Sequence, residues 1–374
     1  MSISITQFPA GYKSAHEEVW HVVESTNKAT AGFQYVFDIY KSGNLITRVK
    51  NSPYGTGKYG VLDVGNIVRA TLDSADLPVM PLDNFTTPAE LGADVFFTNY
   101  DVRYGEVSGG VLTTNISSGT YKVYNNYSRK PWDNKSSAIL ANSFLTNRPN
   151  INWYEGQPVV ISVYIDSGTG DDALELTITQ TGASNYVNKT YVEVQKALTF
   201  NFIPPANANE MTLFTVYDGF TGRLKFNKKC SKYDPHTLIF LNAFGAYDSM
   251  TFVHRKKLMD AERKQYEQFR WKLSSGFMKD NNIYGVYNEA KKTYATTYKE
   301  KMQLTTDILS TGEYDWLSEL ILSPKVYYYD IDNSAFYPVV ITDSNYEFKD
   351  DMINKAETLT INIDFSVSSN SQFR

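Results

Sequence analysis

The chain has 374 residues and a formal charge of -5, with 36 Lys and Arg against 41 Asp and Glu. That length and its 42% hydrophobic content suffice for two or three cored domains. The acidic balance lacks the clustered cations that neutralising several phosphates requires, which argues against a nucleic-acid partner. No run of about 18 apolar residues occurs, so no membrane-spanning helix is expected. A single cysteine, Cys230, leaves no intramolecular disulfide and no cysteine-based zinc site. We read it as a small buried hydrophobe.

The residue bias carries the fold class. Aromatics make up 14% of the chain, with 28 Tyr and 21 Phe, and aromatic and β-branched residues suit a pleated, half-buried surface. The expectation is a mainly β protein: tandem antiparallel β-sandwich domains and a β-rich C-terminal domain carrying one short helix.

Taken in chain order, residues 1–85 read as a first β-sandwich. Phe33, Tyr35, Phe37 and Ile39 share one strand face, Ser42-Gly43-Asn44 turns the chain, and Leu45 to Val49 returns as a hairpin partner. Tyr59 to Val68 reads as a strand followed by a short helical turn. Residues 86–150 read as an irregular and β insertion with long surface loops: Val95-Phe96-Phe97 and Val102-Arg103-Tyr104 look like strands, joined by a surface excursion from Tyr121 to Pro149 where periodicity is weak. Long loops of this kind are often contact elements, and Tyr121, Tyr124, Tyr127 and Trp132 are the candidate subunit contact.

Residues 151–230 form a second sandwich, with strands at intervals of about 10 residues. Ala173 to Thr179 alternates in strict period two. The remainder, 231–374, is the C-terminal β domain. There, Leu258, Glu262, Tyr266, Phe269 and Leu273 lie at helical spacing, whereas Tyr294 to Leu309, rich in Thr and Tyr, looks like a strand. A helix near 312–322 is clearer: Ser310 to Glu313 opens it and Pro324 stops it. Trp316, Leu320 and Ile321, with Val326 beyond, are expected to form a packed corner.

The search for chemistry is mostly negative. His16, His21, His236 and His254 are scattered, with neither a zinc-protease helix nor a nucleophile elbow. Gly55-Thr56-Gly57-Lys58 is a fragment of a phosphate loop without its first Gly or its closing Ser or Thr, and reads as a turn. Calcium takes about six to eight oxygens. The acidic turns Asp166 to Asp172 and Asp330 to Ser334 supply only part of such a loop, so both read as solvated hairpin turns. The basic stretch His254 to Lys264 is interrupted by Asp260 and Glu262 and reads as a solvated face. No catalytic residue, cofactor or metal site is assigned.

The C-terminal third carries a resemblance. The segments Phe240-Leu241-Asn242-Ala243-Phe244-Gly245-Ala246-Tyr247-Asp248-Ser249-Met250-Thr251-Phe252, Glu262-Arg263-Lys264-Gln265-Tyr266-Glu267, Leu304-Thr305-Thr306-Asp307, Trp316 to Tyr327 and Pro338 to Lys349 are similar to a family of virion structural proteins. That family occurs in tailed phages of Bacteroidota, including crAss-like phages. The opening region, from Gln7-Phe8-Pro9 to Val68, resembles the same family, so roughly two thirds of the chain is covered and residues 86–150 lie outside it. The resemblance implies that Arg263 to Glu267 is part of a β-hairpin, against the helical spacing, and it brings no catalytic residues. It implies a structural subunit of a virion, in the tail or baseplate, assembled in the host cytoplasm as a ring or trimer with other virion proteins. The start of the chain, without a cationic and apolar leader, agrees with cytoplasmic assembly. Collar and head-fibre positions are alternatives. So is a carbohydrate-binding adhesin that would stack a host glycan on Trp153, Tyr164 and Tyr186.

Overall fold

A computed structural model describes residues 3–11, 13–72, 82, 88–91, 95–127, 143–165, 173–181, 187–192, 196–215, 219–267, 291–343, 358–366 and 369–373. Its architecture is mainly β, with several discrete, largely antiparallel sheets and, among the described residues, two helices. No helix among those residues is long and apolar enough to cross a membrane.

The N-terminal unit contains β1 (Ile3–Gln7), β2 (Lys13–Ser14), β3 (Trp20–Ser25), β4 (Gln34–Lys41), β5 (Asn44–Asn51), β6 (Gly60–Asp63) and α1 (Gly65–Arg69). Next come β7 (Ala89–Leu91), β8 (Phe97–Ser108) and β9 (Val111–Tyr124). A three-stranded sheet, β1-β3-β6, faces a five-stranded sheet, β2-β9-β8-β4-β5. Tyr35, Phe37 and Ile39 of β4 fill the space between them with Tyr100, Val102 and Tyr104 of β8, as the alternation from Phe33 onward implies.

This pairing keeps the strand read at Val102 to Tyr104 but places it in the first sandwich rather than in a separate insertion. The long hairpin β8–β9 lies inside the first sandwich, with β8 against β4 from Gln34↔Val107 to Tyr40↔Asp101. Gly109 and Gly110 close that hairpin with φ of 58° and 80°, the left-handed pair that a two-residue hairpin turn demands.

The middle unit holds β10 (Ser143–Phe144), β11 (Ile151–Tyr154), β12 (Val159–Ile165), β13 (Ala173–Gln180), β14 (Val187–Val192), β15 (Lys196–Phe202), β16 (Ala208–Thr215) and β17 (Gly219–Lys229). Its sheets are β10-β12-β15-β7 and β11-β17-β16-β13-β14, so β7 crosses over from the preceding unit. Between them lies a core of Trp153, Ile161, Val163, Phe200, Phe202, Met211 and neighbours. Cys230, placed just after β17, is exposed rather than buried, because the chain has by then left the sandwich.

The C-terminal unit holds β18 (His236–Leu241), β19 (Tyr247–Phe252), β20 (His254–Glu267), β21 (Lys291–Thr305), α2 (Thr311–Leu322), β22 (Val326–Asp330), β23 (Ala335–Ile341), β24 (Thr360–Phe365) and β25 (Ser369–Phe373). One sheet runs β19-β18-β22-β23-β24-β21-β20, with β25 beside β21. Helix α2 begins with a capping box: Ser310 caps the Glu313 amide while the Glu313 carboxylate accepts from the Ser310 amide at 2.9 Å. Its Trp316, Leu317 and Leu320 are buried with Phe240, Val326 and Ile361, and Ile321 packs against that cluster.

The three units share a core. Along β12, Val159, Ile161, Val163 and Ile165 enter the middle sandwich while Val160 and Tyr164 face the opposite way. That second face meets Phe96, Phe97 and Tyr124 of the N-terminal unit and Ile239, Leu241, Tyr247 and Tyr329 of the C-terminal unit. Strands β12, β18 and β19 are therefore buried at every residue. The β12 sequence, Val159 to Ile165, is accordingly almost wholly apolar rather than alternating, whereas β18 and β19 bury polar residues such as Thr237 and Asp248 as well.

Candidate functional site

The two tyrosine groups marked out in the sequence meet inside the protein. Tyr124 is buried, and its hydroxyl lies 3.0 Å from the Tyr164 hydroxyl. Tyr121 is buried edge-on against His21, with ring centroids 4.8 Å apart. Tyr127 is half-buried and donates its backbone N–H to the Ala243 carbonyl at 2.8 Å, tying the N-terminal unit to the C-terminal one. The expectation of a subunit contact through Tyr121 and Tyr124 is corrected: both rings face inward, because alternation along β9 turns them to cores within the chain. Trp132 lies outside the described residues.

The glycan platform is corrected in the same way. Trp153 is 1% exposed and Tyr164 0%, because the strands that carry them pack into the middle core and the shared core. Neither offers a ring face to a sugar, and Tyr186 lies outside the described residues.

Other polar groups are tied into the framework. His21 sits between Tyr104 at 2.8 Å and Tyr100 at 3.0 Å, and burial pushes its pKa down to about 4, leaving a neutral imidazole. Asp248, buried at the junction, accepts from Thr146 at 2.6 Å and from the Trp316 indole at 3.2 Å. Burial raises its pKa, against the lowering effect of Arg148. The Arg148 guanidinium lies 4.8 Å from the centre of the Trp316 ring. Glu319 accepts from Asn147 at 2.7 Å and from the Ala243 amide at 2.9 Å, while Glu313 accepts from Asn152. Asp248, the one charged residue of the segment Phe240 to Phe252, was the legible signal for this network. Arg148, in a loop, had none.

Among the described residues no group of three or more His, Cys, Asp or Glu is placed to hold a metal ion. The Asp330 to Ser334 turn spends Asp330 internally, on the Asp332 amide at 3.2 Å and on the Asn333 side chain at 2.7 Å. The other acidic turn, Asp166 to Asp172, lies outside the described residues.

The surface that remains is the β20–β21 ribbon. All 14 residues of β20 are exposed, which at about 3.3 Å per residue spans roughly 45 Å. Register runs from His254↔Thr305 to Glu267↔Lys291, so Arg263 to Glu267 is strand, as the resemblance implied, and the helical spacing is overridden. The Thr- and Tyr-rich β21 supplies the ladder, and opposite charges brace it, with Lys301 2.7 Å from Asp260 and Lys291 3.5 Å from Glu267. Beside the base of β20 lies a cleft of about 790 Å³, where Arg255 and Lys257 face Asp234, Glu300, Asp330 and Asp332. Here His236 sits 3.0 Å from the Tyr328 hydroxyl, and burial with nearby Arg255 pushes it down to about 4. Arrayed this way, the ribbon and cleft can hold an extended, charged polypeptide segment by backbone pairing and salt bridges.

No family model matches the chain, and no curated protein does. Among solved structures, a biofilm associated protein BSP domain is 11% identical over 60% of this chain and 30% of that one, at a TM-score of 0.18. The chicken CNTN1 FN1-FN3 domains are 8% identical over 81% of this chain and 92% of that one, at a TM-score of 0.17. The chain thus spans under a third of the biofilm protein's length. Likenesses at those scores carry no argument about fold or function.

Proposed function

We propose that this chain is a non-enzymatic structural subunit of a phage particle, placed in the tail or baseplate. In this reading copies assemble with rotational symmetry and with other virion proteins, the ordinary way to build such a structure from one chain. The observation that carries it is the ribbon, a long strand held in water on both faces by a body whose three units share one core. Ordering such a strand costs backbone entropy that burial against a neighbouring subunit offsets. Support also comes from the resemblance of the C-terminal third to virion structural proteins. The titratable groups with shifted pKa in this body bond to structural partners, as His21 does to two tyrosines and Asp248 to Thr146 and Trp316.

The test is mass spectrometry and cryo-electron microscopy of purified particles from the source. Density for this chain in a symmetric ring or trimer of the tail is the expected result, and a collar or head-fibre location would revise the position. Absence of the chain from purified particles, with expression confirmed, overturns the proposal.

A further inference from the structure

The outer edge of β20 is free among the described strands: β20 ends the sheet and pairs with β21 alone. An exposed edge of this length is a template for another strand. Lysines usually blunt such edges, and β20 carries them, but its charges follow a pattern that blunting does not require.

Residues 254–262 precede the bulge at Lys264/Gln265, so their faces alternate without a break. One face presents His254, Lys256, Leu258, Asp260 and Glu262; the other presents Arg255, Lys257, Met259 and Ala261. When two copies of a strand pair antiparallel about a two-fold axis normal to the sheet, each face stays on its own side. The central residue then lies opposite its own copy.

The choice of centre is restrictive. Centring on Lys257, Asp260 or Glu262 sets like charges directly opposite each other. A centre at Met259 opposes Arg255 with Arg263, and one at Ala261 opposes Asp260 with Glu262. Centring on Leu258 opposes Leu258 with Leu258, Lys256 with Asp260 twice, and His254 with Glu262 twice. On the second face Lys257 lies against Met259 and Arg255 against Ala261, with no like-charge pair. Like charges directly opposite destabilise a ladder and opposite charges support it. Leu258 and Met259, 39% and 67% exposed, are the apolar residues at this centre.

We infer that β20 pairs antiparallel with β20 of a second copy of this chain, centred on Leu258. The contact is isologous and joins the two sheets into one continuous sheet across a two-fold axis. It goes beyond the virion reading and does not depend on it.

Cysteine crosslinking tests the register. In a Cys230→Ser background, which removes the exposed native thiol, Leu258→Cys places two thiols directly opposite each other. Ala261→Cys places them six positions apart along the strand, roughly 20 Å. Expected is a disulfide-linked dimer with Leu258→Cys, at least tenfold less with Ala261→Cys, and loss of the crosslink when Lys256→Glu is added to Leu258→Cys. Equal crosslinking at both positions, a crosslink that survives Lys256→Glu, or a strictly monomeric chain in sedimentation at its highest soluble concentration overturns the pairing. The presence of the chain in purified particles is read separately, so failure of the pairing and failure of the virion reading are distinguishable.

Discussion

Strands β19 and β20 are separated by one residue, Val253, yet β19 is buried at every position and β20 exposed at every position. Neither shows the alternation of a half-buried strand, for opposite reasons. β19, Tyr-Asp-Ser-Met-Thr-Phe, lies between two cores and spends its one charge, Asp248, on buried partners. β20 carries a charge at most positions and touches no core. The contrast separates a body that holds its shape by packing from an arm that holds its shape by a backbone ladder and cross-strand charges. Removing side chains should therefore be costly in the body and nearly silent in the arm.

The largest expected effect tests the body. Trp316→Ala would leave a cavity beside Phe240 and remove the indole donor to Asp248, so a loss of about 3–5 kcal/mol is expected in urea unfolding. Acid titration tests the buried imidazoles. With His21 and His236 both pushed down to about 4, the unfolded chain, titrating near about 6.5, binds protons first as pH falls. Stability should thus be full above about pH 6.5 and fall towards pH 4, by up to about 1.4 kcal/mol per pH unit for each histidine. His21→Gln should flatten that slope, and an unchanged slope would count against His21 as its source.

Smaller effects sharpen the contrast. Gly245 has φ of 73°, and a Cβ there would meet the backbone carbonyl of Asn125 from the N-terminal unit. Gly245→Ala should cost about 1–3 kcal/mol and loosen the docking of the two units, read as faster amide exchange at Tyr127. Ser310→Ala, which removes the α2 cap, should cost about 1 kcal/mol in the same unfolding assay. Met259→Ala, on the arm, should stay within about 0.5 kcal/mol of the parent at concentrations where the chain is monomeric. A larger loss there would show that the arm packs on something within its own chain.

How much of this was legible in the sequence depended on the residue type doing the packing. Alternation from Phe33 to Ile39 and the Ser310 to Glu313 opening of α2 were read correctly, since apolar spacing and a capping box are local signals. Of the β8–β9 hairpin only Phe97 and Val102 to Tyr104 are legible as strand; the rest of β8 and all of β9 are not, because the hairpin's inward faces use Tyr100, Tyr104 and Tyr121, which pack in the core, Tyr100 and Tyr104 with their hydroxyls on His21. Tyrosine serves surfaces and cores alike, so spacing alone did not decide. The Gly109-Gly110 pair was the available hairpin signal. The two-sided burial of β12, which hides Tyr164, is signalled locally by its almost wholly apolar run from Val159 to Ile165, but which units cover its second face follows from how three units come together.

The sheet that ends in β20 begins at β19, inside the shared core. A pull on the arm along its strand direction would load the β20–β21 hydrogen bonds together, since they lie across the line of force, whereas a pull at the tip across the strands would open them one at a time. From β21 the load passes through β24, β23, β22 and β18 to the junction. The arm is thus a lever whose sheet is rooted in the shared core, with a hydrogen-bond ladder that resists a pull along its length and unzips under a pull from the side.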